Sequence, residues 1–137
     1  MVKLIMGLKG TGKTKKLVDL VKKAVEEAHG NVVCIEKDKN LTYDIPYTAR
    51  LIHAGEYGIN TNALLRGFIS GLHAGNYDIT HVFIDNFYKM LDDRSDDAVG
   101  DLLDWMEDFS KRENVEFTIC ATVEPSTVGP RISKFFD

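Results

Sequence analysis

The chain has 137 residues, of which 44% are apolar and 28% charged, proportions that exclude a disordered or fibrous protein. Seventeen Lys and Arg against 21 Asp and Glu give a net charge of −4, which does not support a nucleic-acid or acidic-membrane binder, because both need a basic face. Cys34 and Cys120 are too few for a disulfide framework or a four-ligand zinc site, and no apolar run reaches the ~20 residues that span a bilayer. The stretch Met1–Met6 is too short for the apolar region of a leader. A single domain over residues 1–137, cytoplasmic and with reduced thiols, is the expectation.

In chain order, Val2–Met6 is a short apolar run ended by Gly7 and predicts a first strand. Lys13–His29 carries Leu17, Leu20, Val21, Ala24, Val25 and Ala28 on one helical face, with Gly30 as the expected stop. Asn31–Ile35 is β-branched and apolar throughout, hence a strand buried on both faces. Residues 37–60 are the least patterned; Leu41–Pro46 reads as a loop and Ala49–Ala54 as a short strand. Thr61 or Asn62 caps a helix whose predicted inner face is Leu64, Leu65, Phe68, Ile69 and Leu72, closed by Gly75. His81–Asp85 is the next strand. Ser95 caps a further helix with Asp96 and Asp97 in its positive first turn and Lys111 and Arg112 in its last. The inner face of that helix is Val99, Leu102, Leu103, Met106 and Phe109. Val115–Thr122 is a strand, and a short one is expected near Arg131–Phe135. Apolar runs alternating with helices predict an α/β fold with a mostly parallel sheet of about five strands.

The motif that carries chemistry is Gly7-Leu8-Lys9-Gly10-Thr11-Gly12-Lys13-Thr14, which fills every fixed position of G-x-x-x-x-G-K-[ST] between a strand and an amphipathic helix. Its glycines admit unusual backbone angles and leave no side chain between backbone and ligand. Successive N–H groups and the helix N-terminus then face a phosphate. Lys13 adds a mobile charge for the β- and γ-phosphates, and the Thr14 hydroxyl suits one position on Mg²⁺. Gly7, Lys9, Gly10, Thr11, Gly12, Lys13 and Thr14 are the expected nucleotide contacts, with ATP and Mg²⁺ as ligand and cofactor. Asp85, after Val82-Phe83-Ile84, is the acid expected to hold the metal with Thr14.

These two motifs resemble those of the P-loop NTPase superfamily, in the version common in RecA-like and AAA-like ATPases. The resemblance implies a three-layer α/β/α sandwich with Mg·ATP at the strand C-terminal edge. It also implies a central first strand next to the Thr122 strand, with the Asp85 strand beyond. By the same resemblance Thr122 senses the γ-phosphate, and a Glu beside the metal-holding Asp activates water. Here Asn86 follows Asp85, and an amide is no general base. The expected activity is therefore a slow ATPase, with a protein partner or a second copy of the chain as the candidate stimulant. A weaker resemblance to the thymidine-kinase-type core gives the rival, a small nucleoside or nucleotide kinase in which Glu36 would meet the acceptor. That family has Asp-Glu where this chain has Asp85-Asn86. A non-catalytic nucleotide sensor is the third reading. Arg66, Arg94 and Arg131 are candidate fingers on the γ-phosphate, Arg131 the favoured one. The four histidines share no metal-ligand spacing, and the cysteines read as buried small hydrophobes.

Overall fold

The computed structural model describes residues 1–137. Nine regular elements follow one another: β1 (Val2–Gly7), α1 (Lys13–Glu27), β2 (Asn31–Glu36), β3 (Arg50–His53), α2 (Asn62–Gly75), β4 (Ile79–Asp85), α3 (Asp96–Glu113), β5 (Glu116–Thr122) and α4 (Pro130–Ser133). The strands form one sheet in the order β1-β5-β4-β2-β3, and every pairing is parallel. A parallel sheet must be covered on both faces, because its crossovers place helices there.

Alternation along each strand divides the core in two. Val33, Ile35, Val82, Ile84, Phe117 and Ile119 point to the side of α2 and α3, in the larger cluster with Leu65, Ile69, Leu102 and Leu103. Val32, Cys34, Phe83 and Cys120 point to the other side, onto Leu17, Val18 and Val21 of α1. The result is the expected three-layer α/β/α sandwich. Leu41, Ile45 and Ala49 of the segment between β2 and β3 pack beside α1 in the smaller cluster, which anchors a loop that contains no long helix or strand.

The helix boundaries follow local chemistry. Thr61 Oγ1 accepts from Leu64 N at 3.0 Å and Ser95 Oγ from Ala98 N at 3.2 Å, so both predicted caps form. The α3 helix ends on Asn114 in the left-handed region at φ 56°, a conformation Asn tolerates better than other side chains.

Four expectations are corrected. The α1 helix stops at Glu27 with Ala28 extended as its C-cap, so Gly30 is not its stop; Gly30 is needed because the Asp78 carbonyl lies where a Cβ would stand. On α2 the buried residues are Leu65, Ile69 and His73, while Leu64 is exposed. His73 is inside because its ring packs edge-on to Phe109 and Tyr77. No strand covers Arg131–Phe135; Pro130 opens the one-turn α4 instead. Finally, β1 is an outer strand rather than a central one. Its free edge meets the end of the chain, through a single parallel bridge between Leu4 and Phe136, and Glu107 of α3, which accepts from Val2 N at 2.9 Å.

Candidate nucleotide site

The side chains that matter converge because of register. Gly7 stands opposite Thr122, Glu36 opposite Asp85, and Glu36 opposite His53. Period-2 alternation puts all five on the sheet face that carries α1. They form one row along the C-terminal edge of the sheet, where ligands of open α/β sheets bind.

The loop Leu8–Gly12 crosses this row between β1 and α1. Gly10 and Gly12 have φ of 87° and 83°, angles that side chains other than Gly rarely adopt. At Gly7 a Cβ would stand 2.8 Å from Thr11 Oγ1, so the loop can close over the strand end only without one. Thr11 N donates to Leu8 O at 3.3 Å, whereas the N–H groups of Gly10, Gly12, Lys13, Thr14 and Lys15 donate to no protein carbonyl. Gly12 caps α1 without a side-chain acceptor, and the first turn of α1 contains no acid. A set of unpartnered donors at a helix N-terminus is a cradle for an anion. Lys13 folds over it, with Nζ donating to Leu8 O at 2.8 Å and standing 3.4 Å from Thr11 Oγ1. A phosphate can replace these weak local acceptors with charged ones.

Two hollows flank the loop. One, of about 650 Å³, is lined entirely by polar residues and Gly, among them Thr14, Asn40, Asn86, Lys89 and Thr122. The other, of about 470 Å³, includes Ile5, Met6, Leu8 and Pro125 together with Glu124. Lys9, Lys13 and Lys15 line the polar hollow. Thr122 is exposed at its rim.

Asp85 is 6% exposed and ends β4, next to Asn86, which lines that hollow. Burial holds its carboxyl above the usual carboxylate range, against the lowering effects of the Asn86 N–H and of the Lys13 and Lys89 charges. Glu36 is 1% exposed. Both its oxygens accept from Leu41 N, at 3.3 and 2.9 Å. Burial raises its carboxyl too, opposed first by the N–H groups of Leu41 and Asn40, then by His53. Burial, with the Asp85 charge second, pushes the Cys120 thiol up to about 12. Cys34 is raised further by burial and by Asp85 and Glu36. Both cysteines are free and buried, as expected of small hydrophobes.

No group of three or more His, Cys, Asp or Glu side chains is placed to hold a metal alone. Mg²⁺ does not need one, because it keeps several waters and binds through one or two protein ligands plus substrate phosphates. Thr14 in the first turn of α1 and Asp85 at the end of β4 fit that donor set.

The residues singled out in the sequence divide plainly. The loop residues, Asp85, Thr122 and Glu36 come together at one edge. Arg131 does not: it donates to Asp101 Oδ1 at 2.6 Å, Asp104 Oδ2 at 2.9 Å and the Asp97 carbonyl at 3.2 Å on α3. The same helix face holds Lys134, 2.8 Å from Asp104 Oδ1. Arg66 stacks over Trp105 at 5.3 Å, so Trp105 is a packing residue. The acidic run before α3 is taken up by backbone donors: Asp92 accepts from Asn62 N, Asp93 from Ser95 N and Asp96 from Gly129 N. Asn40 and Lys89 went unnoticed in the sequence. One lies in the unpatterned segment after β2 and the other in a turn after β4, and no spacing marks either.

No curated protein matches the chain. The fold, the loop geometry and a family model agree, however: the model of the ATPase family associated with various cellular activities (AAA) matches residues 3–137, and the chain belongs to that family of nucleotide-binding P-loop ATPases.

Proposed function

We propose that the chain acts as a single domain that binds Mg·ATP at the Gly7–Thr14 loop and hydrolyses it slowly unless stimulated by a protein partner or a second copy. The observation that carries this reading is the loop itself: unpartnered N–H groups, Lys13 and Thr14 face the polar hollow. In this reading the N–H groups of Gly10, Gly12, Lys13, Thr14 and Lys15 hold the β-phosphate. Lys13 turns from Leu8 O to the β- and γ-oxygens. Magnesium, when bound, supplies neutralisation of the phosphate charge; Thr14 and Asp85 would hold it. Thr122 reaches the terminal phosphate from the end of β5. No carboxylate lines the polar hollow, and Asn86 offers the attacking water an amide in place of a base, which is the reason for slow turnover.

The kinase alternative asks Glu36 to meet an acceptor. Its burial and its two bonds from Leu41 N speak against that task, and support instead a role in holding the loop after β2. A sensor that binds ATP without turnover is the reading that Asn86 favours if hydrolysis is absent.

The test is thermal denaturation with ATP, GTP, ADP and nucleoside monophosphates in the presence of Mg²⁺. A ligand at 100 times its dissociation constant adds about 2.7 kcal/mol of stability. Lys13→Ala should lose most of that gain with the unliganded melting curve unchanged, because Lys13 bonds only to its own loop. Equal ATP stabilisation in wild type and Lys13→Ala would overturn the reading.

A further inference from the structure

The turn after Asp85 is a one-turn 3₁₀ helix, Phe87–Met90. Phe87 and Met90 are fully buried, Leu91 is buried, and Tyr88 packs against the core. Lys89 is the one exposed residue among them. Its N–H donates to Asn86 O at 3.0 Å, which ties the turn to a residue in the left-handed region, Asn86 at φ 54°. The backbone under Lys89 is therefore fixed by its buried neighbours, and Lys89 lines the same polar hollow as Lys13. Lys89 therefore shares this hollow with Lys9, Lys13 and Lys15 of the phosphate loop and α1, so cations from separate elements line one cavity.

At rest Lys89 Nζ lies 3.8 Å from Asp38 Oδ2, and both side chains are more than half exposed. Exposed pairs of this kind contribute little, typically below ~1 kcal/mol. A phosphate oxygen in the hollow offers a stronger, charge-assisted partner. Asp38 lies just beyond Glu36, whose bonds from the Leu41 and Asn40 N–H groups shape this loop. The buried acid thus sets where the resting partner of Lys89 stands.

We infer that Lys89 is a terminal-phosphate contact supplied in cis, which leaves Asp38 when a triphosphate binds and makes the site prefer ATP to ADP. This inference rests on the proposed nucleotide function. It gives the chain its own cation at the γ-phosphate, a part that Arg131, held on α3, and Arg66, stacked on Trp105, are not placed to play.

The experiment is calorimetric titration of wild type, Lys13→Ala, Lys89→Ala and Asp38→Asn with ATP and with ADP, each with Mg²⁺. Lys89→Ala should weaken ATP about tenfold or more while ADP stays within about twofold, as expected for loss of one charge-assisted contact that only the triphosphate makes. Asp38→Asn, which removes the resting partner, should hold or raise the preference for ATP. If Lys89→Ala changes ATP and ADP by the same factor, or neither, Lys89 does not contact the terminal phosphate. A preference that falls in both variants marks the pair as a tie between two loops and also overturns the inference. In both cases loss of binding in Lys13→Ala leaves the nucleotide reading standing. A wild type that binds neither nucleotide, or a Lys13→Ala that binds as wild type does, overturns the function and this inference with it.

Discussion

Asn86 carries the sharpest consequence for rate. It occupies φ 54°, ψ 47°, where its short amide is tolerated and a longer acid is less at ease. General-base help is worth roughly 10² to 10⁴ in rate, so the purified protein should turn ATP over well below ~1 s⁻¹. Steady-state phosphate release checks this, with Lys13→Ala as the control for contaminating activity. Turnover of a few per second that Lys13→Ala abolishes would point to another base, with Glu36 and Glu124 the first to replace. Asp85 makes a second, separable case. Because burial raises its folded pKa, ionising it opposes folding. That penalty is absent below the unfolded pKa of about 3.9, grows as pH rises, and is complete above the folded pKa. Asp85→Asn should therefore melt higher than wild type at pH 7 without ligand, with the gain vanishing towards pH 4. The same variant should lose the Mg²⁺-dependent part of ATP stabilisation while keeping the metal-free part. Melting curves across pH, with and without Mg·ATP, read both effects; a variant less stable than wild type at pH 7 would contradict the first.

At the level of elements, α3 shows how far local chemistry reaches. Ser95 caps it, Asp96 and Asp97 sit at its positive end, and Lys111 and Arg112 at its negative end. Ser95→Ala should cost about 1 kcal/mol, the usual loss for a missing N-cap, read as a lower denaturant midpoint with an unchanged slope. These signals lie within one turn of the helix end, which is why they were legible in the sequence. The inner face of α2 was legible only in part. Period alone cannot tell Leu64 from His73 as the residue that meets the core; the position of Phe109 on α3 decides it. Likewise Gly30 marks an approach of Asp78 from another part of the chain, although by sequence it looks like an ordinary helix stop.

Across the whole molecule the weak margin is the outer edge of β1. Leu4 N donates to Phe135 O at 2.8 Å and Asp137 N to Leu4 O at 3.1 Å, so three C-terminal residues stand in for a further strand. Arg131 fastens that segment to α3 through Asp97, Asp101 and Asp104. Arg131→Ala should loosen it, so that the amide protons of Leu4 and Asp137 exchange faster while those of β4 and β2 do not; equal exchange in both proteins would show the edge to be held by α4 packing alone. The alternation of strands and helices, the parallel sheet and the phosphate loop were legible beforehand, since hydrophobic period, capping and the Gly7–Thr14 motif are written in neighbouring residues; the layers came from the resemblance that motif carries. Asp85 was found the same way, as an acid ending an apolar run. Tertiary structure decided the rest. It placed β1 at an edge, withdrew Glu36 under Leu41, took Arg131 away to α3 and brought Asn40 and Lys89 to the hollow. These depend on strand order, on contacts between residues far apart in the chain or, for Glu36, on the path of an unpatterned loop, and none of them leaves a periodic trace in the residues themselves.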